Sequence, residues 1–520
     1  MMQNSEGTKS DSDVYLRVEK LKTQFFTSRG IVKALDEVNL NIKKGEIFGL
    51  VGESGCGKSV TAQSIMYLVP DPPGRIVSGK IYVGNVNMLI GLDRLAKITI
   101  KSETNVKIKR NKRLIKRHNY LLSKIRGDRI SMIFQEPTLA LNPVLRVGDQ
   151  ISENIMLHLK IEMANAILRR EMATRKDYES FVQKVFSIGD KDQRGKEILD
   201  WCENYSISDA EELVGNIFLT YQDPETIIKS LEFIVNERKS GTDINRLSRA
   251  RDYYVYQQKL FEATLKLMEA EANGRQDEIE SAKYELNEAK REGGTFLSFR
   301  VINIFMRRRI EAPLRDAAKR RVIELLTLVN ISEPERAAIS YPHELSGGMQ
   351  QRVMIAMALA SSPQMLIADE PTTALDVTTQ AQILDLIRNL NRQMGSSVLF
   401  ITHDLAVIAQ MCNRVGVMYA GNIVEEADVN TIFDNPKHPY TIGLLRALPR
   451  ADRIAGKMVK LDTVAGTVPN LITPPSGCRF HPRCKFKMDI CEQKKPELDD
   501  LGGGHKVACF LYQEPGGSTQ

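Results

Sequence analysis

The sequence has no long hydrophobic run: nowhere in its 520 residues do about 18 apolar residues follow one another, the length a membrane-spanning helix needs. That excludes a polytopic membrane protein. The opening residues, MMQNSEGTKSDSD, lack the basic-then-apolar order of a secretory signal. The chain is therefore expected to stay in the cytosol and to meet a membrane only through a partner. Cysteine is scarce, with seven residues, too few for a disulfide scaffold. With 42% hydrophobic and 26% charged residues, neither a disordered nor a collagen-like chain is tenable. The length suggests about three domain-sized pieces.

What is present is unevenly placed. The net charge is +7, yet between Lys97 and Arg126 eleven Lys or Arg stand against one acidic residue, Glu103. The excess is local, so it does not indicate a general affinity for nucleic acid. This stretch reads as helical near RNKRLIKRHNYLLSKI. It is either a solvated surface or a contact for an acidic partner or anionic lipid headgroups. Four of the cysteines, Cys478, Cys484, Cys491 and Cys509, fall close together near the end of the chain.

Residues 14–51 alternate in short runs, VYLRVEKLKTQFF, VKALDEVNLNI and EIFGLVG, and read as strands, the last one buried. Further strands are expected within 77–90, and residues 129–158 resume a compact pattern. Residues 160–315 are charge-rich and read as successive helices. Tyr253 to Arg291 is expected to be one long amphipathic helix, broken near Asn273-Gly274. MLIADE and SVLFITHD look like parallel strands of an α/β sheet.

Gly52-Glu53-Ser54-Gly55-Cys56-Gly57-Lys58-Ser59 matches the phosphate-binding pattern G-x-x-x-x-G-K-S/T, placed between a strand and a helix as that pattern requires. Its glycines let backbone N–H groups surround phosphates. Lys58 supplies a point charge, Ser59 a hydroxyl for Mg²⁺, and the following helix its positive N-terminus. Cys56 reads as a small filler. Met365 to Glu370 is an apolar strand ending in two carboxylates. Opposite a phosphate loop, Asp369 would hold Mg²⁺ and Glu370 would polarise an attacking water.

Leu345-Ser346-Gly347-Gly348-Met349-Gln350-Gln351 adds a second candidate anion-binding helix end, with Ser346 as its cap. With this motif the sequence resembles the ATP-binding cassette (ABC) family, whose signature is LSGG-Q. The flanking SYPHELSGGMQQRVMIAMALA resembles the ATPase subunits of oligopeptide, dipeptide and nickel permeases. The resemblance implies an α/β fold: a P-loop NTPase nucleotide-binding domain with a mixed-sheet core and a helical signature subdomain. It spans 14–159 and 316–436. The departures are a basic insertion at about 96–122 and a mostly helical one at 160–315. Residues 437–512, beginning KHPYTIGLLRALP, resemble the extension that follows the cassette in peptide permeases.

The same resemblance implies roles. Gln135 matches the Q-loop, which touches Mg²⁺ and the attacking water. Ala374-Leu375-Asp376 matches the D-loop, and His403 the switch histidine that contacts the γ-phosphate. Phe26 would stack on adenine, with Phe25 the alternative. Catalysis would fall to Glu370, His403 and Gln135, and Mg²⁺ to Ser59, Gln135 and Asp369. In the family two cassettes face head to tail, so Leu345, Ser346, Gly347, Gly348 and Met349 would act on ATP bound to a partner. The implied partners are two transmembrane permease subunits, a second ATPase (a paralogue) and, indirectly, an extracellular substrate-binding protein. The place implied is the cytoplasmic side of the cell membrane. Cys478, Cys484, Cys491 and Cys509 would hold a 4Fe–4S cluster, ahead of zinc or unliganded thiols. The expected function is ATP-driven peptide import, with nickel or oligosaccharide as alternative cargo. A soluble ABC ATPase acting on ribosomes or nucleic acid is the competing class.

Overall fold

Strand β3 (Ile47–Val51) is apolar and all five residues are buried, as expected of a strand covered on both faces. The computed structural model describes residues 13–102, 105–207, 210–239, 241–293, 311–373, 375–447 and 466–513. The D-loop residue Ala374 lies outside them. The chain divides into two compact units, Met1–Ala140 with Ser362–Gln520, and Leu141–Ser361.

In the first unit, β1 (Val14–Thr27), β2 (Gly30–Lys43), β4 (Gly74–Val83) and β5 (Val86–Asn87) form an antiparallel sheet of order β2-β1-β4-β5. A second sheet surrounds β3. It uses β8 (Ile130–Ile133), β9 (Met365–Asp369), β10 (Ser397–Thr402), β11 (Arg414–Tyr419), β12 (Asn422–Asp428), β13 (Asp499–Asp500) and β14 (Lys506–Val507), in the order β13-β14-β12-β11-β3-β10-β9-β8. The pairs β8–β9, β9–β10, β10–β3 and β3–β11 are parallel. Their registers align Val51 with Thr402 and Ile401 with Asp369, so the chain leaves three strands along one carboxyl edge. In parallel α/β sheets that edge is where ligands bind.

The basic stretch divides in two. Its second half is the expected helix, Lys112–Ile125, which buries His118, Leu121, Leu122 and Ile125. Ahead of it, β6 (Ala96–Ser102) and β7 (Asn105–Arg110) form a hairpin in which Lys97 pairs with Lys109.

The second unit is helical. Trp201 stacks between Phe181 at 4.4 Å and Tyr205 at 4.7 Å, at the centre of a core that includes Tyr178, Val214, Leu231 and Val235. The expected long helix begins earlier than its sequence pattern suggested, at Ile244. It ends at Asn273, where Gly274 (φ 74°) turns the chain into Gln276–Glu292. The two helices pack Ala263, Leu267 and Ala270 on Ala282 and Leu286, with Lys266 and Glu285 paired across them at 2.8 Å. Helices Val147–His158, Ala312–Leu328 and Gly347–Leu359 also lie in this unit.

Candidate active site

The phosphate loop leaves β3 at Val51 and enters α1 (Lys58–Ile65), with Gly57 as the N-cap at φ 112°. A Cβ on Gly52 would stand 2.2 Å from the Met418 carbonyl oxygen, and one on Gly57 3.1 Å from that of Ala34. A side chain at Gly52 would thus collide with neighbouring backbone, and at Gly57 the positive φ of 112° favours glycine. Cys56 is fully buried. Burial pushes its thiol pKa up, which fits a filler and not a nucleophile. Lys58 is buried and its Nζ donates to the carbonyls of Gly52 at 2.7 Å and Glu53 at 3.2 Å. Its charge therefore sits over the centre of the loop.

Across the carboxyl edge, the Ser59 hydroxyl donates to Asp369 Oδ1 at 3.1 Å. Burial pushes the Asp369 carboxyl up to about 6 and nearby Glu370 adds to this, while the Ser59 hydrogen bond and Lys58 oppose it. Such a group lacks a cation's charge. The pair of hard oxygens it makes with Ser59 fits Mg²⁺.

Glu370 takes φ 45°, a left-handed conformation that costs a non-glycine residue about 1–3 kcal/mol. Its N–H donates to Ile401 O at 2.9 Å, which fixes that turn. Three side chains converge on its carboxylate. Gln135 Nε2 donates to Oε2 at 3.1 Å, Thr373 Oγ1 donates to Oε2 at 2.9 Å, and His403 Nδ1 lies 3.3 Å from Oε1. The structure thus brings Gln135, Asp369, Glu370 and His403 into one cluster with the phosphate loop. Thr373 is an addition that sequence reasoning missed. Its place in DEPTT, three residues past Glu370, was the available signal.

Phe25 and Phe26 are both half-buried. Phe25 fills the space that Gly74 leaves, since a Cβ there would stand 2.7 Å from its ring. Neighbouring residues on a strand face opposite ways, so Phe26 is on the other face. Asp376 caps helix Val377–Met394: its carboxylate accepts from Thr379 N at 2.9 Å and Thr379 Oγ1 at 2.8 Å. Those bonds hold the carboxyl below its ordinary range.

In the other unit, Ser346 caps helix Gly347–Leu359, accepting from Met349 N at 3.4 Å. Gln350 Nε2 ties down the preceding turn through Pro342 O at 2.7 Å. Ser346 and Gly347 are exposed, and among the described residues nothing outside its own helix turn lies within 4 Å of where a Gly347 side chain would begin. Internal packing therefore does not require glycine there, whereas close approach by an outside group would.

Cys478, Cys484, Cys491 and Cys509 line one small pocket with Phe480 and Phe486. Among the described residues no carboxylate lines it, so the donor chemistry suits a thiolate-bound centre. However, no set of three or more His, Cys, Asp or Glu is arranged to hold a metal ion among the described residues. The geometry thus gives the expected iron–sulfur cluster no support. Burial pushes the thiols of Cys478 and Cys509 up to about 11 and raises that of Cys484.

Among the described residues no helix is long and apolar enough to cross a membrane. Comparison with known proteins adds the family. The ABC transporter family matches residues 35–214 and 232–373, and the oligopeptide/dipeptide transporter C-terminal region matches 424–491. A probable peptide ABC transporter ATP-binding protein of Sinorhizobium fredii is 32% identical over 503 residues, 97% of this chain and 96% of its own length. The oligopeptide transport ATP-binding protein AppD of Bacillus subtilis is 32% identical, covering 96% of this chain and 98% of its own. The dipeptide transport ATP-binding protein DppD of the same organism is 30% identical, covering 96% and 95%.

Proposed function

The chain belongs to the ABC transporter ATPases, and we propose that it is the ATP-hydrolysing, energy-coupling subunit of a peptide importer. The observation that carries this reading is the convergence of Gln135, Thr373 and His403 on Glu370 beside the Ser59–Asp369 pair. The match of 424–491 to the oligopeptide/dipeptide region supports peptides as the cargo class over nickel or oligosaccharide.

In this reading the backbone of Gly52 to Gly57 and Lys58 hold the phosphates, and Phe26 stacks on adenine. Ser59 and Asp369, with the Gln135 amide oxygen, would hold Mg²⁺, which when bound neutralises phosphate charge. Glu370, aimed by its three partners, takes the proton of the attacking water. His403, tied to Glu370 through Nδ1, stands against the γ-phosphate. Leu345, Ser346, Gly347, Gly348 and Met349 close over ATP on a facing cassette, a paralogue of this chain, with Ala374, Leu375 and Asp376 at the same junction. ATP closes the cassette pair and hydrolysis reopens it, driving two permease subunits at the cytoplasmic membrane face. An extracellular binding protein delivers the cargo.

The domain reading holds 14–159 and 316–436 as the cassette, 160–315 and about 96–122 as insertions, and 437–512 as the extension. The 4Fe–4S cluster, implied by resemblance alone, would be held by Cys478, Cys484, Cys491 and Cys509, with zinc the weaker occupant. An anaerobic preparation should then contain iron and absorb broadly near 400 nm; lack of both removes the cluster.

Glu370→Gln tests the main reading. It should bind ATP and stall before hydrolysis. Recovered with ATP from gently solubilised membranes, it should bring two multi-span proteins and a second cassette. Ribosomal proteins or nucleic acid in their place would overturn the reading.

A further inference from the structure

The phosphate loop is held from outside the cassette motifs. Glu53, its second residue, carries a carboxylate into a loop whose task is to bind a polyanion. Arg483 meets that carboxylate with both prongs: Nη1 donates to Oε2 at 2.8 Å and Nη2 to Oε1 at 3.0 Å. The Arg483 side chain is 7% exposed, and this two-pronged geometry is the strong form of an ion pair. It also donates to Tyr419 Oη at 3.4 Å and Gly466 O at 3.2 Å, and lies 5.6 Å from the Tyr419 ring centre. A second tie comes from Tyr440, whose hydroxyl accepts the Glu53 N–H at 2.9 Å.

Both partners belong to the segment between β12 and β13. Tyr440 is in helix Pro439–Arg446, and Arg483 closes the short turn His481–Arg483 that leads into Cys484. The loop is braced elsewhere too, since Gly421 N donates to Cys56 O at 2.7 Å.

We propose that Arg483 is a positioning residue of the phosphate loop: by neutralising and orienting Glu53 it makes the C-terminal extension part of the apparatus that binds ATP. Without Arg483, the Glu53 carboxylate would be an unpaired negative charge beside the incoming phosphates. The effect belongs to ATP binding and not to the chemical step, because neither residue reaches Glu370 or His403. The inference rests on Gly52 to Ser59 being the ATP loop.

The experiment measures ATP affinity and steady-state hydrolysis of the full-length chain assembled with its partners. Arg483→Ala should raise the KM for ATP on the order of tenfold with kcat little changed. Adding Glu53→Gln should bring KM back to within about twofold of wild type, because the unpaired charge is gone. A purely structural role for Arg483 would leave the double variant as poor as the single one. If Arg483→Ala does not fold, Arg483→Lys keeps the charge and loses the fork. Its rise should be smaller, about threefold, and again reversed by Glu53→Gln. No rise in KM, or a rise that Glu53→Gln does not reverse, overturns the proposal. Lys58→Ala serves as the reference: if it too binds ATP normally, the identification of the loop has failed, and not the role of Arg483.

Discussion

Glu370 is where the residues say most about function. A strained backbone and three side-chain partners serve one carboxylate, an arrangement a merely structural Glu at a strand end would not need. Thr373→Ala removes the shortest of those hydrogen bonds. It should lower kcat about tenfold and leave KM for ATP unchanged, as expected for an interaction that matters in the transition state; an unchanged kcat contradicts its role. Chelation with excess EDTA should reduce hydrolysis to background and added Mg²⁺ restore it, given the oxygen pair of Ser59 and Asp369. Hydrolysis that persists would count against that assignment. His118 supports a prediction about pH. Its Nε2 must carry the proton, since it bonds the Met88 carbonyl at 3.0 Å, and its buried Nδ1 has no partner among the described residues. Burial lowers its pKa from 6.5 to about 4. A folded-state pKa below the unfolded one means that the unfolded chain takes up the proton first. Stability is therefore intact above pH 6.5 and declines as pH falls toward 4, by up to about 3 kcal/mol. His118→Phe should flatten the fall in melting temperature between pH 7 and pH 4.5, and an unaltered slope would contradict this.

At the scale of elements, the four parallel pairs explain why the site could be read from sequence. Each of these motifs is an apolar run ending in polar residues, and a parallel sheet delivers all such endings to one edge. Order along the chain therefore sufficed to group Lys58, Gln135, Asp369, Glu370 and His403. The β6–β7 hairpin was legible in principle, because KITIK and VKIKR alternate with period two. The density of charge concealed that alternation. The helical insertion shows the opposite case. Its helices are plain in the sequence, but its core, centred on Trp201, draws on residues from Tyr178 to Val235 that no local pattern pairs. Trp201→Ala should destabilise this helical cluster by about 3–5 kcal/mol, read as a lower denaturation midpoint and early proteolysis between 175 and 237. Unchanged protease resistance would show that the cluster does not depend on it.

For the whole molecule, the C-terminal extension is the part that the sequence could classify but not connect. Its resemblance to peptide-permease ATPases was visible. Arg483 and Glu53 stand 430 residues apart, and nothing local marks them as partners. The same holds for Glu425, fully buried, which accepts from Lys437 N at 2.7 Å, His438 N at 3.0 Å and His505 Nε2 at 2.8 Å. Long-range contacts of this kind depend on where the fold brings the chain. The central claim is that the Glu370 cluster powers peptide uptake. The most direct measurement reconstitutes the chain with its permease subunits, paralogue and binding protein in vesicles, ATP on the cassette side, and follows a labelled peptide. The account predicts uptake that requires ATP and falls at least a hundredfold with Glu370→Gln. Uptake that proceeds equally with Glu370→Gln, or ATP hydrolysis with no peptide moved under any condition, would contradict it.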